Sequence, residues 1–186
     1  MTLSEITNEV ARRLSVKRFT HSLAVAAQAV RLAGIHGIDP VKAYSAAVLH
    51  DIAREFSEEE WFRRADLLKI SDRYRHPAVL LHSFIGAEIA RTDFFIRDLD
   101  VLEAIRYHTL GFPGMDKTAQ ILFIADYISR DRHFIDNEFR EIIGHLSLDK
   151  ATEAVIEKTS RYFAETGRSL HEDTEKLREF LRSKKQ

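Results

Sequence analysis

The chain has no cysteine, so it can form neither a disulfide nor a thiolate-bound metal site. Three prolines and seven glycines are all that punctuate 186 residues. With so few breakers and almost no period-two alternation, the sequence reads as helices throughout. No run approaches the ~20 apolar residues needed to cross a bilayer. Met1-Thr2-Leu3-Ser4-Glu5 has no basic segment leading into an apolar core, so no secretory signal is expected. Charge of one sign is missing too: 28 Lys and Arg face 29 Asp and Glu. A net charge of −1 gives no bulk electrostatic case for nucleic acid or a membrane surface. Any anion site must be built locally, from a few Arg or Lys. The expectation is a cytoplasmic protein with neither nucleic acid nor membrane as partner.

What is present suits one globular domain over residues 1–186, all-α, with 45% hydrophobic and 31% charged residues. Leu3, Ile6, Val10 and Leu14 mark a first amphipathic helix. A second is predicted over 17–36, with Phe19, Leu23, Ala26, Ala27 and Val30 inside and Gly37 as its stop. Asp39-Pro40 opens a third that is predicted to continue to about Arg54. Ser57 to Glu60 is a capping box before Trp61. Further helices are predicted over 81–92, 98–109, 117–129, 139–145, 148–166 and 172–182. The 148–166 helix carries Val155, Thr159, Tyr162 and Phe163 on its inner face.

Five places put metal-ligand residue types on apolar helix faces: His21, the doublet His50-Asp51, His82, His108 and Asp126. A lone inward histidine is usually a satisfied core residue. His82 near a helix start and His108 near a helix end have such readings, and Asp126 would need an arginine partner such as Arg106 or Arg161. Taken together the five read differently. In a cysteine-free chain imidazole and carboxylate are the ligands left, and helices that each donate one inward group build metal sites in bundle cores. His50 and Asp51 lie about 100° apart on a helix, so a shared ion must sit off its edge. His36, His76, His133 and His145 read as surface.

The order His21, His50-Asp51, His82, His108, Asp126 resembles the HD-domain phosphohydrolases, an all-α superfamily. The segments 17–26, Ala47 to Arg54, Leu80 to His82 with Gly86-Ala87, and Ala104 to Thr109 with Gly111 are similar to the bacterial YqeK-like family. So are Phe123 to Ile128, Thr159 to Tyr162 and His171 to Thr174. Members of that family split diadenosine tetraphosphate symmetrically into two ADP. The chain departs from the family's usual residues at Ser83-Phe84, at Phe112 and at Ser129–Asp131, where Glu-Pro-Gly is typical, while Arg132 remains.

The resemblance implies an HD-domain helical bundle with a metal site in its core. His21, His50, Asp51 and Asp126 would hold iron, one or two ions, with manganese, cobalt, nickel or zinc as alternatives. His82 and His108 would complete a second metal position or contact phosphate, and Asp51 would bridge two ions or orient water. The implied catalytic set is Asp51, His82 and His108. The implied substrate contacts are Arg18, His21, His82, His108, Thr109, Arg132 and Arg161, with Lys17 as a further cation. His171 either reaches the site or only caps the last helix. The expected activity is symmetrical hydrolysis of the dinucleotide, with hydrolysis of another nucleotide or an inactive nucleotide-binding module as alternatives. A homodimer is compatible with the sequence.

Overall fold

The computed structural model of the chain describes residues 1–184. Among the described residues there are ten α-helices: α1 Leu3–Arg13, α2 Val16–His36, α3 Pro40–Leu49, α4 Glu58–Leu67, α5 Leu81–Thr92, α6 Leu99–Tyr107, α7 Lys117–Ile128, α8 Asn137–His145, α9 Leu148–Glu165 and α10 Glu172–Ser183. Two 3-10 turns, Asp72–Tyr74 and Ala78–Leu80, connect α4 to α5. There is no strand among the described residues.

Local chemistry fixes most helix starts. Thr2, Ser15, Asp39, Ser57, Asp98, Asp116 and Asp136 each accept a backbone N–H of the following turn. At the other end of α2, Gly37 takes the left-handed conformation at φ 66°.

α7 is the axis of the bundle. Its residues from Thr118 to Ala125 are buried, so no polar face is left to set its orientation. It packs against α2, α3, α6 and α9, while α5 lies against α6. α3 is built of small residues, with Ala43, Ala46 and Ala47 buried against α2, whose own buried face includes Ala26, Ala29 and Ala33. Small side chains on both sides let the two backbones approach closely.

Three sequence expectations are corrected here. α2 is rotated from its predicted phase: Leu23, Ala27 and Val30 are exposed, while His21, Ser22, Val25, Gln28 and Ala29 are buried. The helix is apolar almost all round, so hydrophobicity alone does not set its phase; the buried polar residues do. α3 stops at Leu49 rather than continuing to Arg54. Beyond it Ile52 N–H bonds Leu49 C=O at 3.1 Å and Arg54 N–H bonds Asp51 C=O at 2.9 Å, so the doublet sits in tight turns. On α9, Tyr162 points outward and is 55% exposed, while Thr159 and Phe163 are half-buried.

Candidate metal and nucleotide site

Five separate segments bring His21, His50, Asp51, His82, His108 and Asp126 to one point in the core. His21 comes from the second turn of α2 and Asp126 from α7. The doublet follows α3, His82 opens α5, and His108 is the residue after α6. His21 Nε2 lies 3.2 Å from Asp126 Oδ1 and 3.8 Å from Asp51 Oδ2. His50 Nε2 lies 3.4 Å from Asp51 Oδ2 and 4.0 Å from Asp126 Oδ1. On the other side of Asp51, its Oδ1 is 3.1 Å from His82 Nε2 and 3.9 Å from His108 Nε2. The latter two nitrogens are 3.1 Å apart.

The outer nitrogens explain why these rings converge. His50 Nδ1–H donates to Ala47 C=O at 2.6 Å and His108 Nδ1–H to Ile105 C=O at 2.8 Å. His82 Nδ1–H donates to Val79 C=O, and His21 Nδ1–H to the Asp131 carboxylate at 2.7 Å. A carbonyl or carboxylate can only accept, so each Nδ1 carries the proton and each Nε2 faces the centre. His21 Nε2 and His50 Nε2 are buried without a hydrogen-bond partner. Unpartnered buried nitrogens are costly, and a metal relieves the cost.

The donor chemistry fits a metal. Two triads, His21–His50–Asp126 and His50–Asp51–His108, place their donor atoms within 4.8 Å of one another. They share His50. Imidazole and carboxylate together suit first-row divalent ions. The four residues that the sequence grouped lie together, with His21 and His50 each within 4.0 Å of both Asp51 and Asp126, and His108 joins His50 and Asp51 in the second triad.

The electrostatics follow from crowding. Burial alone would raise the Asp51 pKa, but His50 and His82 outweigh it and hold the carboxyl well below its usual range. Burial likewise opposes ionisation of Asp126, and Arg132 with His21 overcomes it. His108 is pushed down to about 3, first by burial and then by repulsion from His50 and His82. His50 moves the other way because Asp51 and Asp126 outweigh its burial.

Cations surround the carboxylates. Arg18, one turn before His21, donates to Asp51 at 2.8 Å. Arg132 donates to both the Asp126 carboxylate and its backbone carbonyl. The charge partner of Asp126 is therefore Arg132, not Arg106 or Arg161. Arg54 is a residue the sequence reading did not single out. Its guanidinium pKa is lowered by burial while Asp51 pulls it back, which puts it in the same field.

A cavity of about 460 Å³ opens from the cluster. His108, Thr109, Asp126, Tyr127 and Arg132 line it on the cluster side, and Phe163, Leu170 and His171 line the far side. Arg161 is elsewhere: it is exposed and lines a separate groove with Lys150 and Glu153. His171 lines the cavity, but both its nitrogens serve structure: Nδ1 accepts from Asp173 N–H at 3.1 Å, and Nε2–H donates to Arg73 C=O at 3.2 Å. His76, His133 and His145 are exposed as expected; His36 is half-buried with an unpartnered Nε2.

Residues 18–131 match the HD domain family model. This chain belongs to the HD-domain family. Among HD-domain relatives, it is 31% identical over 172 residues to a Bacillus subtilis protein named "Bis(5'-nucleosyl)-tetraphosphatase, symmetrical", covering 89% of each chain. A Halalkalibacterium halodurans protein of the same name is 33% identical over 163 residues, covering 87% of each. Among solved structures, an HD superfamily hydrolase from Clostridium acetobutylicum, described as a predicted hydrolase involved in NAD metabolism, is 34% identical. It superposes with a TM-score of 0.91 over 99% of this chain and 98% of that one.

Proposed function

We propose that this HD-domain chain is a symmetrical bis(5'-nucleosyl)-tetraphosphatase, adding water across the central phosphoanhydride of diadenosine tetraphosphate to give two ADP. The observation that carries the reading is the convergence of four imidazole Nε2 atoms and two carboxylates at the buried end of a cavity lined by Arg132 and Thr109. The relatives named for this reaction match along most of both chains.

His21, His50, Asp51 and Asp126 would hold one ion, and His82 with His108, beside Asp51, would complete a second position. Iron is the ion we favour, with manganese, cobalt, nickel or zinc able to use the same donors. Such an ion, when bound, polarises a phosphoryl oxygen and brings the pKa of water towards ~7. The chain supplies the remainder. His108, neutral down to about pH 3, keeps its proton on Nδ1 and offers a lone pair rather than an acid at physiological pH. Arg18, Arg132 and Arg54 counter the charge of the phosphate chain, as phosphoryl transfer requires. Thr109 and the walls beyond it receive a nucleoside. A nucleotide substrate supports a cytoplasmic enzyme; among the described residues no helix is long and apolar enough to cross a membrane.

Incubation of the purified protein with diadenosine tetraphosphate, with products separated by ion-exchange chromatography, is expected to give ADP alone. ATP plus AMP would overturn the symmetrical cut. Faster turnover of mononucleotides than of the dinucleotide would move the assignment to another nucleotide substrate.

A further inference from the structure

We propose that Asp131 is a positioning residue that fixes His21 as a metal donor, an inference that rests on the metal reading above. Three of the four cluster histidines are oriented by the carbonyl three residues back, at Ala47, Val79 and Ile105. That device is available because each of the three lies at the end of a helix or beside a 3-10 turn, where main-chain carbonyls lack helical partners. His21 has no such neighbour. It lies inside a 21-residue helix whose carbonyls are engaged in its own ladder. Its Nδ1–H donates instead to Asp131 Oδ2 at 2.7 Å, across 110 residues of chain.

The partner is an anion, which separates His21 from the other three. A carboxylate accepting from Nδ1 fixes the tautomer and the ring orientation, which leaves the Nε2 lone pair facing the centre. The turn that carries Asp131 is itself held in place. Arg140 donates to Ile128 C=O at 3.0 Å, Ser129 C=O at 3.1 Å and Arg132 C=O at 2.8 Å, pinning the backbone on both sides of Asp131. From the same turn Arg132 grips Asp126, the carboxylate of the triad to which His21 belongs. One four-residue turn after α7 thus orients two of the three donors of a single triad.

The test is a Co2+ titration of the metal-free wild type, Asp131→Ala and Asp131→Asn, in competition with a chelator and followed by visible absorption. Thermal melting of the metal-free proteins is the parallel readout. Asp131→Ala is expected to bind Co2+ roughly 10–100-fold more weakly, with melting unchanged. Asp131→Asn, whose amide oxygen still accepts from Nδ1–H, is expected to recover part of the loss. Wild-type affinity in Asp131→Ala overturns the inference, as does an Asn variant no tighter than the Ala variant. A fall in metal-free melting that matches the affinity loss would make Asp131 structural and also overturn it. A wild type that takes up no Co2+ would instead end the metal reading on which the inference stands.

Discussion

His108 shows how much one buried ring is asked to do. It sits among two other imidazoles and a carboxylate, and its pKa falls from the usual 6.5 to about 3. In the unfolded chain the same ring takes up a proton below pH 6.5; in the folded chain it does not. The unfolded state therefore binds more protons across that window, and stability falls as pH falls through it. His50, whose pKa is raised, makes a contribution that is fully present below 6.5, and the depressed carboxylates lose theirs only near and below 3.8. Between pH 6.5 and about 5, His108 makes the largest contribution to the slope, up to about 1.4 kcal/mol per pH unit, and His36, whose pKa burial also lowers, adds to it. Urea melts of the metal-free protein at pH 7 and pH 5 should show that loss, and His108→Gln should flatten it. An equal slope in the variant would refute the assignment. The residues of the cluster were legible in the sequence because His and Asp on apolar faces demand partners. Asp131 was not, since it lies between Arg130 and Arg132 in a charged stretch that reads as solvated loop, and Arg54 carried no mark beyond following the doublet.

Elements differ in how plainly their sequences speak. α5 begins and ends where the pattern places it, at Leu81 and Thr92, because Pro77 precedes it and its inner face of Ile85, Gly86, Ala87 and Ile89 is regular. α2 hid its phase behind apolar residues on every side. α3 hid its end, because nothing in Ala47-Val48-Leu49-His50-Asp51-Ile52-Ala53 is a stop signal. The helix ends there as the His50 ring takes the Ala47 carbonyl. The turn after α6 is the opposite case, strongly specified by one atom's absence. Gly111 has φ 67°, and a Cβ there would collide with the Leu177 side chain of α10. Gly111→Ala should cost about 1–3 kcal/mol, seen as a melting temperature several degrees lower. Unchanged melting would mean that α10 yields without cost.

At the scale of the whole molecule, the candidate metal cluster and the cavity are held by different bonds. The cluster is tied by α2, α5 and α7 and the turns after α3 and α6. The far wall of the cavity depends on α10, which is latched to the loop before α5 and to the turn after α6: Tyr74 Oη–H donates to Asp173 Oδ2 at 2.7 Å, Arg73 pairs with the same oxygen at 3.1 Å, and Thr174 donates to Leu110 C=O at 2.7 Å. Asp173 is buried, so removing its charge leaves Arg73 and Tyr74 with a weaker acceptor. Asp173→Asn should raise KM for the dinucleotide on the order of tenfold, while Co2+ affinity stays at the wild-type value. A fall in Co2+ affinity of similar size would show that latch and cluster are one cooperative unit.

That latch also has a meaning in time. Every candidate metal ligand lies between residues 21 and 126, whereas the latch closes on residues 173 and 174. As the chain is synthesised, the donors for an ion are complete some fifty residues before the wall that frames the nucleoside, as the numbering of the two sets shows. A nascent chain arrested in between would contain the candidate donors but not the residues that close the latch.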